Sequence, residues 1–182
     1  ENVGKKFLKL VLTILSTFLA SVLFLITYIL VDLSPHESSK EIQKTIVNDA
    51  TQLNPIEVTQ VIEPKSIQDI QKAILSTNGK VSVGGGRYSQ GGQTARENSL
   101  HLDMRKYNKV VSFTPESQEI TVQSGIRWRD IQDVIDPEDL SIKIMQSYSN
   151  FTVGGSLSVN VHGRYIGEGP IIRSVKSIKV VL

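Results

Sequence analysis

The chain has 182 residues, with 20 Lys and Arg against 18 Asp and Glu, a net charge of +2 and 40% hydrophobic residues. That length admits one domain plus a short extra segment, and a near-balanced charge without a long basic block gives no electrostatic support for nucleic-acid binding. Cysteine is absent, which removes disulfides, thiolate nucleophiles and cysteine-based zinc sites, and His36, His101 and His162 show no metal-ligand spacing, so no metal is expected.

Residues 1–9 form a short basic segment carrying Lys5, Lys6 and Lys9. Residues 10–31 then run for 22 positions without a charge, dominated by Leu, Ile, Val and Phe. At about 1.5 Å rise per residue, a helix of this length crosses a hydrocarbon core of roughly 30 Å. Thr13, Ser16, Thr17, Ser21 and Thr27 are tolerable there because their hydroxyls bond back to helix carbonyls. Tyr28 suits the membrane interface. A cleaved signal peptide shares the basic start, but its apolar run is about 7–15 residues, and residues 32–36 (DLSPH) offer no small-x-small cleavage site. A buried helix of a soluble protein is shorter as a rule. The expectation is a transmembrane helix over 10–31. The lysines before it lie closer than Lys40 and Lys44 after it, which puts the N-terminus in the cytoplasm and the remaining chain on the non-cytoplasmic side.

Residues 32–53 are polar and read as a juxtamembrane linker with room for a short helix, so the folded domain is expected over 54–182. Residues 56–62 are β-rich and stop at Pro64. Ser66 and Asp69 have capping-box spacing, and Ile67, Ile70 and Ile74 make one helix face that ends by Asn78 and Gly79. Residues 80–83 alternate as a strand, and residues 100–104 form another. Residues 120–123 form a strand closed by Ser124 and Gly125. Trp128, Ile131, Val134 and Ile135 give residues 127–135 a helical face, which Pro137 ends. Short strands are expected over 141–145 and 174–182, and the mixture is an α+β domain. The chain starts on Glu1 rather than Met, and its final strand runs out without a turn, so both ends are expected to be trimmed from a longer protein.

Two segments carry most of the glycine. Residues 84–93 (GGGRYSQGGQ) follow directly on a strand and hold five glycines in their first nine positions. Such a stretch permits positive φ and exposes successive N–H groups, which together form an anion-binding nest suited to a diphosphate. The lysine of a Walker A loop is missing, and no G-x-G-x-x-G opens a helix here, so both common phosphate loops are excluded. A plain connecting loop has the same composition. Residues 152–164 (TVGGSLSVNVHGR) are the second segment, where Gly154 and Gly155 allow close approach either of a ligand or of neighbouring backbone at a helix start.

The order VGGGRYSQGGQ, then LDM at 102–104, ITVQSG at 120–125, WRDI at 128–131 and TVGGSLSVNVHG at 152–163 resembles the FAD-binding (PCMH-type) module of the vanillyl-alcohol oxidase / p-cresol methylhydroxylase flavoproteins. Within that family it is most similar to the branch holding the sugar-lactone oxidases and decaprenylphosphoryl-ribose oxidase. The resemblance covers residues 55–182 and implies two α/β subdomains, the second incomplete. It also implies an FAD-dependent oxidoreductase that moves hydride from a substrate C–H, on a sugar or other alcohol, to the flavin. A small-molecule substrate and an unidentified electron acceptor follow. The family's catalytic base lies largely beyond this module, so the segment alone is expected to be inactive.

Carried over residue by residue, the resemblance assigns cofactor binding to Gly84, Gly85, Gly86, Arg87, Tyr88, Ser89 and Gln93 in the first segment. In the second it assigns Thr152, Gly154, Gly155, Ser158, His162 and Gly163, with Gly125 beside them. Many family members attach FAD through a histidine where this chain has Tyr88, which implies non-covalent FAD. His162 is the candidate to sit beside the flavin, against the alternative that it bonds backbone and shapes its loop. Arg87 and Arg164 are open between phosphate or substrate contact and solvation, whereas Asp103, Trp128 and Asp130 read as structural. A membrane-tethered scaffold that keeps the fold without flavin is the alternative from another class, and an NAD- or nucleotide-binding domain is a second.

Overall fold

The computed structural model describes residues 2–32 and 45–181. The chain divides into two units, residues 1–41 and 42–182, and residues 33–44 of the expected linker lie outside the described residues.

The first unit is one helix, α1 (Asn2–Asp32). It is longer than the uncharged run, because Lys5, Lys6 and Lys9 continue its N-terminal turns. Within it Gly4–Tyr28 is long and apolar enough to cross a membrane. Its apolar side chains, Leu15, Phe18 and Phe24 among them, are exposed. The hydroxyl of Thr13 donates to the Lys9 carbonyl at 2.9 Å, and Ser21 and Thr27 donate to carbonyls four residues back at 3.0 and 2.8 Å. The polar side chains of the run are thus satisfied inside the helix, as a hydrocarbon surrounding requires.

The second unit opens earlier than the composition suggests. Residues 45–53, read from sequence as linker, are folded. Strand β1 (Ile46–Val47) pairs antiparallel with β2 (Ile56–Glu57), and Val47 and Asp49 are buried. The polarity that reads as linker belongs to a tight turn in which Asn48, Asp49, Thr51 and Asn54 bond one another.

A parallel sheet follows in the order β3 (Gln60–Ile62), β5 (Leu100–Asp103), β4 (Val81–Gly84). Helix α2 (Ile67–Leu75) makes the crossover from β3 to β4. Its capping box is formed: Asp69 N–H donates to Ser66 Oγ at 3.1 Å, and Ser66 N–H donates to Asp69 Oδ2 at 2.9 Å. Every residue of the central strand β5 is buried. Because side chains alternate along a strand, Leu100 and Leu102 pack with Ile70 and Ala73 of α2. His101 and Asp103 occupy the other face, where the first glycine-rich segment lies.

The second half contains the antiparallel hairpin β6 (Val110–Thr114) and β7 (Glu119–Val122), helix α3 (Trp128–Ile135) and the short helix α4 (Val153–Ser158). Its core is Ile126, Trp128, Ile131, Ile135, Ile144, Val153 and Ile171. Residues 141–145 are not a strand. The Gln132 side chain donates to the Leu140 carbonyl at 3.1 Å and accepts from Ile142 N–H at 3.4 Å, standing in for a ladder while Ile144 fills the core. The strand expected over 174–182 is also missing among the described residues: a 3-10 turn spans Ile171–Ser174, and residues 175–181 run on without a ladder partner. The architecture is α+β, with one apolar N-terminal helix ahead of it.

Candidate functional site

The two glycine-bearing segments meet. Gly86 N–H donates to Thr152 Oγ1 at 3.3 Å, and a Cβ added at Gly85 would fall 2.3 Å from that same oxygen. Between them lies a cavity of about 250 Å3. Gly84, Gly85, Gly86, Arg87, Tyr88, Ser89 and Gln93 line it from the first segment, and Thr152, Gly155 and Ser158 from the second. A neighbouring cavity of about 590 Å3 shares Gly86, Arg87 and Tyr88 and is otherwise lined by Ile46, Asn48, Asp49, Ala50, Gln52 and Arg105. The smaller cavity is the one lined by both glycine segments.

Strand β4 delivers the first segment to this place by ending at Gly84, whose absent side chain leaves room for His101: a Cβ there would stand 2.8 Å from the imidazole. Beyond it Arg87 takes φ +62°, a left-handed conformation that turns the chain. No acceptor among the described residues takes the N–H of Arg87, Tyr88 or Ser89. Three consecutive N–H groups without an acceptor, on residues that line the cavity, suit a diphosphate. Thr94, whose Oγ1 is buried without a partner among the described residues, is also part of the cavity lining.

The side chains behind the loop are committed elsewhere. Arg87 Nη2 lies 2.7 Å from Asp103 Oδ2, and Arg105 pairs with the same carboxylate. Arg87 is thus paired with Asp103 through Nη2 and largely buried, while its Nε has no partner among the described residues. Burial raises the Asp103 pKa, but the Arg105 hydrogen bonds and the two guanidinium charges outweigh that and leave it below the usual carboxylate range. His101 is fully buried, with Nδ1 2.9 Å from Ser82 Oγ and Nε2 unpartnered. Burial and then the Arg87 cation pull it down to about 4, so it is neutral near pH 7. Tyr88 stands edge-to-face with Tyr148 and Phe151 at centroid distances of 5.3 and 5.0 Å.

Four sequence candidates stand apart from the cavity lining. Gly125 N–H donates to the Tyr107 carbonyl at 2.8 Å, and a Cβ there would fall 1.8 Å from the Met104 carbonyl oxygen. Gly154 donates to the Ser124 carbonyl at 2.7 Å, with a virtual Cβ 2.9 Å from Ser124. Gly163 sits against the Met145 carbonyl. These three glycines let main chain approach main chain. His162 is exposed, with Nδ1 3.1 Å from the Gly163 carbonyl, and pairs by a β-bridge with Pro170. Arg164 is exposed.

Sequence reasoning missed Asp49, Thr94, His101 and Gln146. Trp128 Nε1 donates to Ser156 Oγ at 3.0 Å, and Ser156 Oγ donates to Gln146 Oε1 at 2.7 Å, a chain that fixes α4 over the core and places Gln146 at the cavity. The LHLD alternation of β5 was the available signal for His101; nothing local marked Gln146.

The family described as FAD binding domain matches residues 58–182. This chain belongs to that family. Its cofactor is FAD, and the relatives it matches are named as oxidoreductases, lactone oxidases and lactone dehydrogenases. It is 30% identical to an uncharacterized oxidoreductase of the fasciation locus of Rhodococcoides fascians, over 66% of this chain and 28% of that protein. It is 25% identical to the L-gulonolactone oxidase of Mus musculus, over 65% of this chain and 28% of the enzyme. With the mitochondrial L-galactono-1,4-lactone dehydrogenase of Arabidopsis thaliana it shares 27% identity, over 65% and 20% respectively. Among solved structures, a cholesterol oxidase from Brevibacterium sterolicum superposes with a TM-score of 0.55 at 20% identity, covering 65% of this chain and 24% of that one, which shows a shared fold. The chain thus spans between a fifth and a third of the length of these relatives.

The residues present fit FAD. A cavity of about 250 Å3 is smaller than the roughly 300–1,000 Å3 usual for a complete small-molecule site, so it suits part of the dinucleotide. The open amides at 87–89 have the chemistry to hold its diphosphate.

Proposed function

We propose that this chain is the FAD-holding part of a membrane-anchored oxidoreductase that takes hydride from a C–H of a sugar lactone or other alcohol. The observation that carries the reading is the junction of the two glycine segments at Gly86 and Thr152 around the unpaired amides of Arg87, Tyr88 and Ser89. Bound FAD supplies the hydride acceptor. This chain's own residues grip and orient the diphosphate through main-chain donors, with Gly84, Gly85, Gly86, Ser89, Gln93, Thr152, Gly155 and Ser158 lining the cavity.

The FAD is held without a covalent bond, since Tyr88 occupies the loop position of the attaching histidine and its phenol packs on Tyr148 and Phe151. The lactone-acting relatives support the substrate class. Helix α1, apolar over Gly4–Tyr28 with Lys5, Lys6 and Lys9 at its start, anchors the chain with the flavin domain on the non-cytoplasmic side. Residues 10–31 are the span, and the FAD-binding domain extends from the β1 turn to residue 182. Reduction of an electron acceptor completes the cycle.

Purified chain mixed with FAD and desalted is expected to keep a flavin absorption spectrum, and acid precipitation to release all the flavin to the supernatant. A colourless protein would contradict FAD binding and favour a flavin-free scaffold. Flavin that stays in the pellet would contradict non-covalent attachment.

A further inference from the structure

The first glycine-rich segment contains two sets of amides, and only one is open. Gly91 and Gly92, at φ +111° and +81°, donate their N–H groups to Asp49 Oδ2 at 3.1 and 3.3 Å. Asp49 is 1% exposed. Its remaining acceptor capacity is filled from its own turn: Thr51 N–H reaches Oδ1 at 2.8 Å, the Thr51 hydroxyl donates to the same oxygen, and Asn54 Nδ2 reaches Oδ2 at 2.8 Å. The Thr51 hydroxyl, with the other donors, outweighs burial and holds this carboxyl well below the usual carboxylate range. Asp49 is therefore an internal anion seated on main-chain amides, the same chemistry that the open amides at 87–89 present to a diphosphate. Next to it, Ala50 N–H donates to the Arg87 carbonyl at 2.7 Å. Residues 49 and 50 thus hold the loop on both sides of Tyr88 and Ser89. They precede the stretch that matches the family, which begins at residue 58.

We propose that Asp49 is a positioning residue for the cofactor's diphosphate: it fills the Gly91–Gly92 nest and so fixes the backbone that presents the Arg87, Tyr88 and Ser89 amides. Without it, the Gly91 and Gly92 N–H groups lose their part-buried acceptor, and the loop must be ordered at the moment of binding, which weakens association. The assignment rests on the reading of those amides as the diphosphate site.

The test compares FAD with riboflavin, which lacks the diphosphate, by flavin-fluorescence titration of the full chain and its variants. In Asp49→Asn the side chain keeps its size but loses an acceptor oxygen. FAD affinity is expected to fall about tenfold or more, the scale of lost hydrogen bonds to a charged group, with riboflavin affinity unchanged. Unchanged FAD affinity overturns the proposal, and so does an equal loss for both ligands, which would mark a general structural role. Should Asp49→Asn not fold, Asn54→Ala removes one donor to Asp49 from a half-buried position. A selective loss of FAD affinity of about threefold is then expected, and no change overturns the proposal. If the unsubstituted chain binds FAD no better than riboflavin, the diphosphate reading itself fails, and that result is separate from any effect of Asp49.

Discussion

In residues 84–93 the glycine-rich backbone leaves donors in the open, whereas in residues 152–163 glycines let one stretch of main chain close on another. The contrast is visible in what each amide meets. The N–H groups of Arg87, Tyr88 and Ser89, on residues that line a cavity, meet no acceptor among the described residues, while Val153 and Gly154 spend theirs on the carbonyls of Ile126 and Ser124 at 2.9 and 2.7 Å. The second segment contributes through Thr152, Gly155 and Ser158 at its surface, and its remaining glycines hold the support in place. Glycine content alone therefore does not tell a ligand-facing loop from a packing one; the partners of the N–H groups do.

Three substitutions sharpen that contrast. The largest effect is expected at Gly125, in the supporting backbone. Gly125→Ala puts a Cβ 1.8 Å from the Met104 carbonyl oxygen, where no side chain can yield, so a loss of about 3 kcal/mol or more is expected in urea unfolding. A stability within about 0.5 kcal/mol of the parent would show that the strand end relaxes freely. Next comes Gly85→Ala, whose Cβ would meet Thr152 Oγ1 at 2.3 Å. That contact is with a side chain, so a cost of about 1–3 kcal/mol is expected, and adding Thr152→Ala should recover part of it. Strict additivity in the double variant would break the claim that the two segments touch there.

The smallest effect concerns the face behind the loop. His101 titrates near 4 in the fold against about 6.5 in an unfolded chain. The unfolded chain therefore binds a proton that the fold refuses as pH falls from about 6.5 towards 4, so stability is full above that window and declines through it. His101→Asn should flatten this part of the urea-midpoint profile. An identical profile for parent and variant would mean that His101 is not buried as a neutral ring.

Much of the architecture was legible in the sequence. The capping box at Ser66 and Asp69, the crossover helix α2 and the strand before the first glycine segment came straight from local pattern, because each is set by short-range hydrogen bonds or by apolar period. Strand β6 was missed, although Val110, Val111 and Phe113 carry a β-rich signal. The strand expected over 141–145 failed because one glutamine side chain, Gln132, takes the role of a ladder partner, a long-range substitution with no local trace. At the site, the first segment was readable and its limits were not. Whether Gly91 and Gly92 are free depends on Asp49, which lies 42 residues upstream in the chain and sits in a stretch whose polarity reads as linker. His162 and Gly163 carried the resemblance in sequence, yet their places in the fold follow from the Pro170 bridge and the Met145 carbonyl.

Amide hydrogen exchange of the chain with and without FAD addresses the central claim directly. Slowing is expected at Arg87, Tyr88 and Ser89 when FAD is added, with little change at Gly91 and Gly92, already bonded to Asp49, or at Gly154, bonded to Ser124. Slowing confined to other residues, or none at 87–89 with FAD bound, would contradict the account.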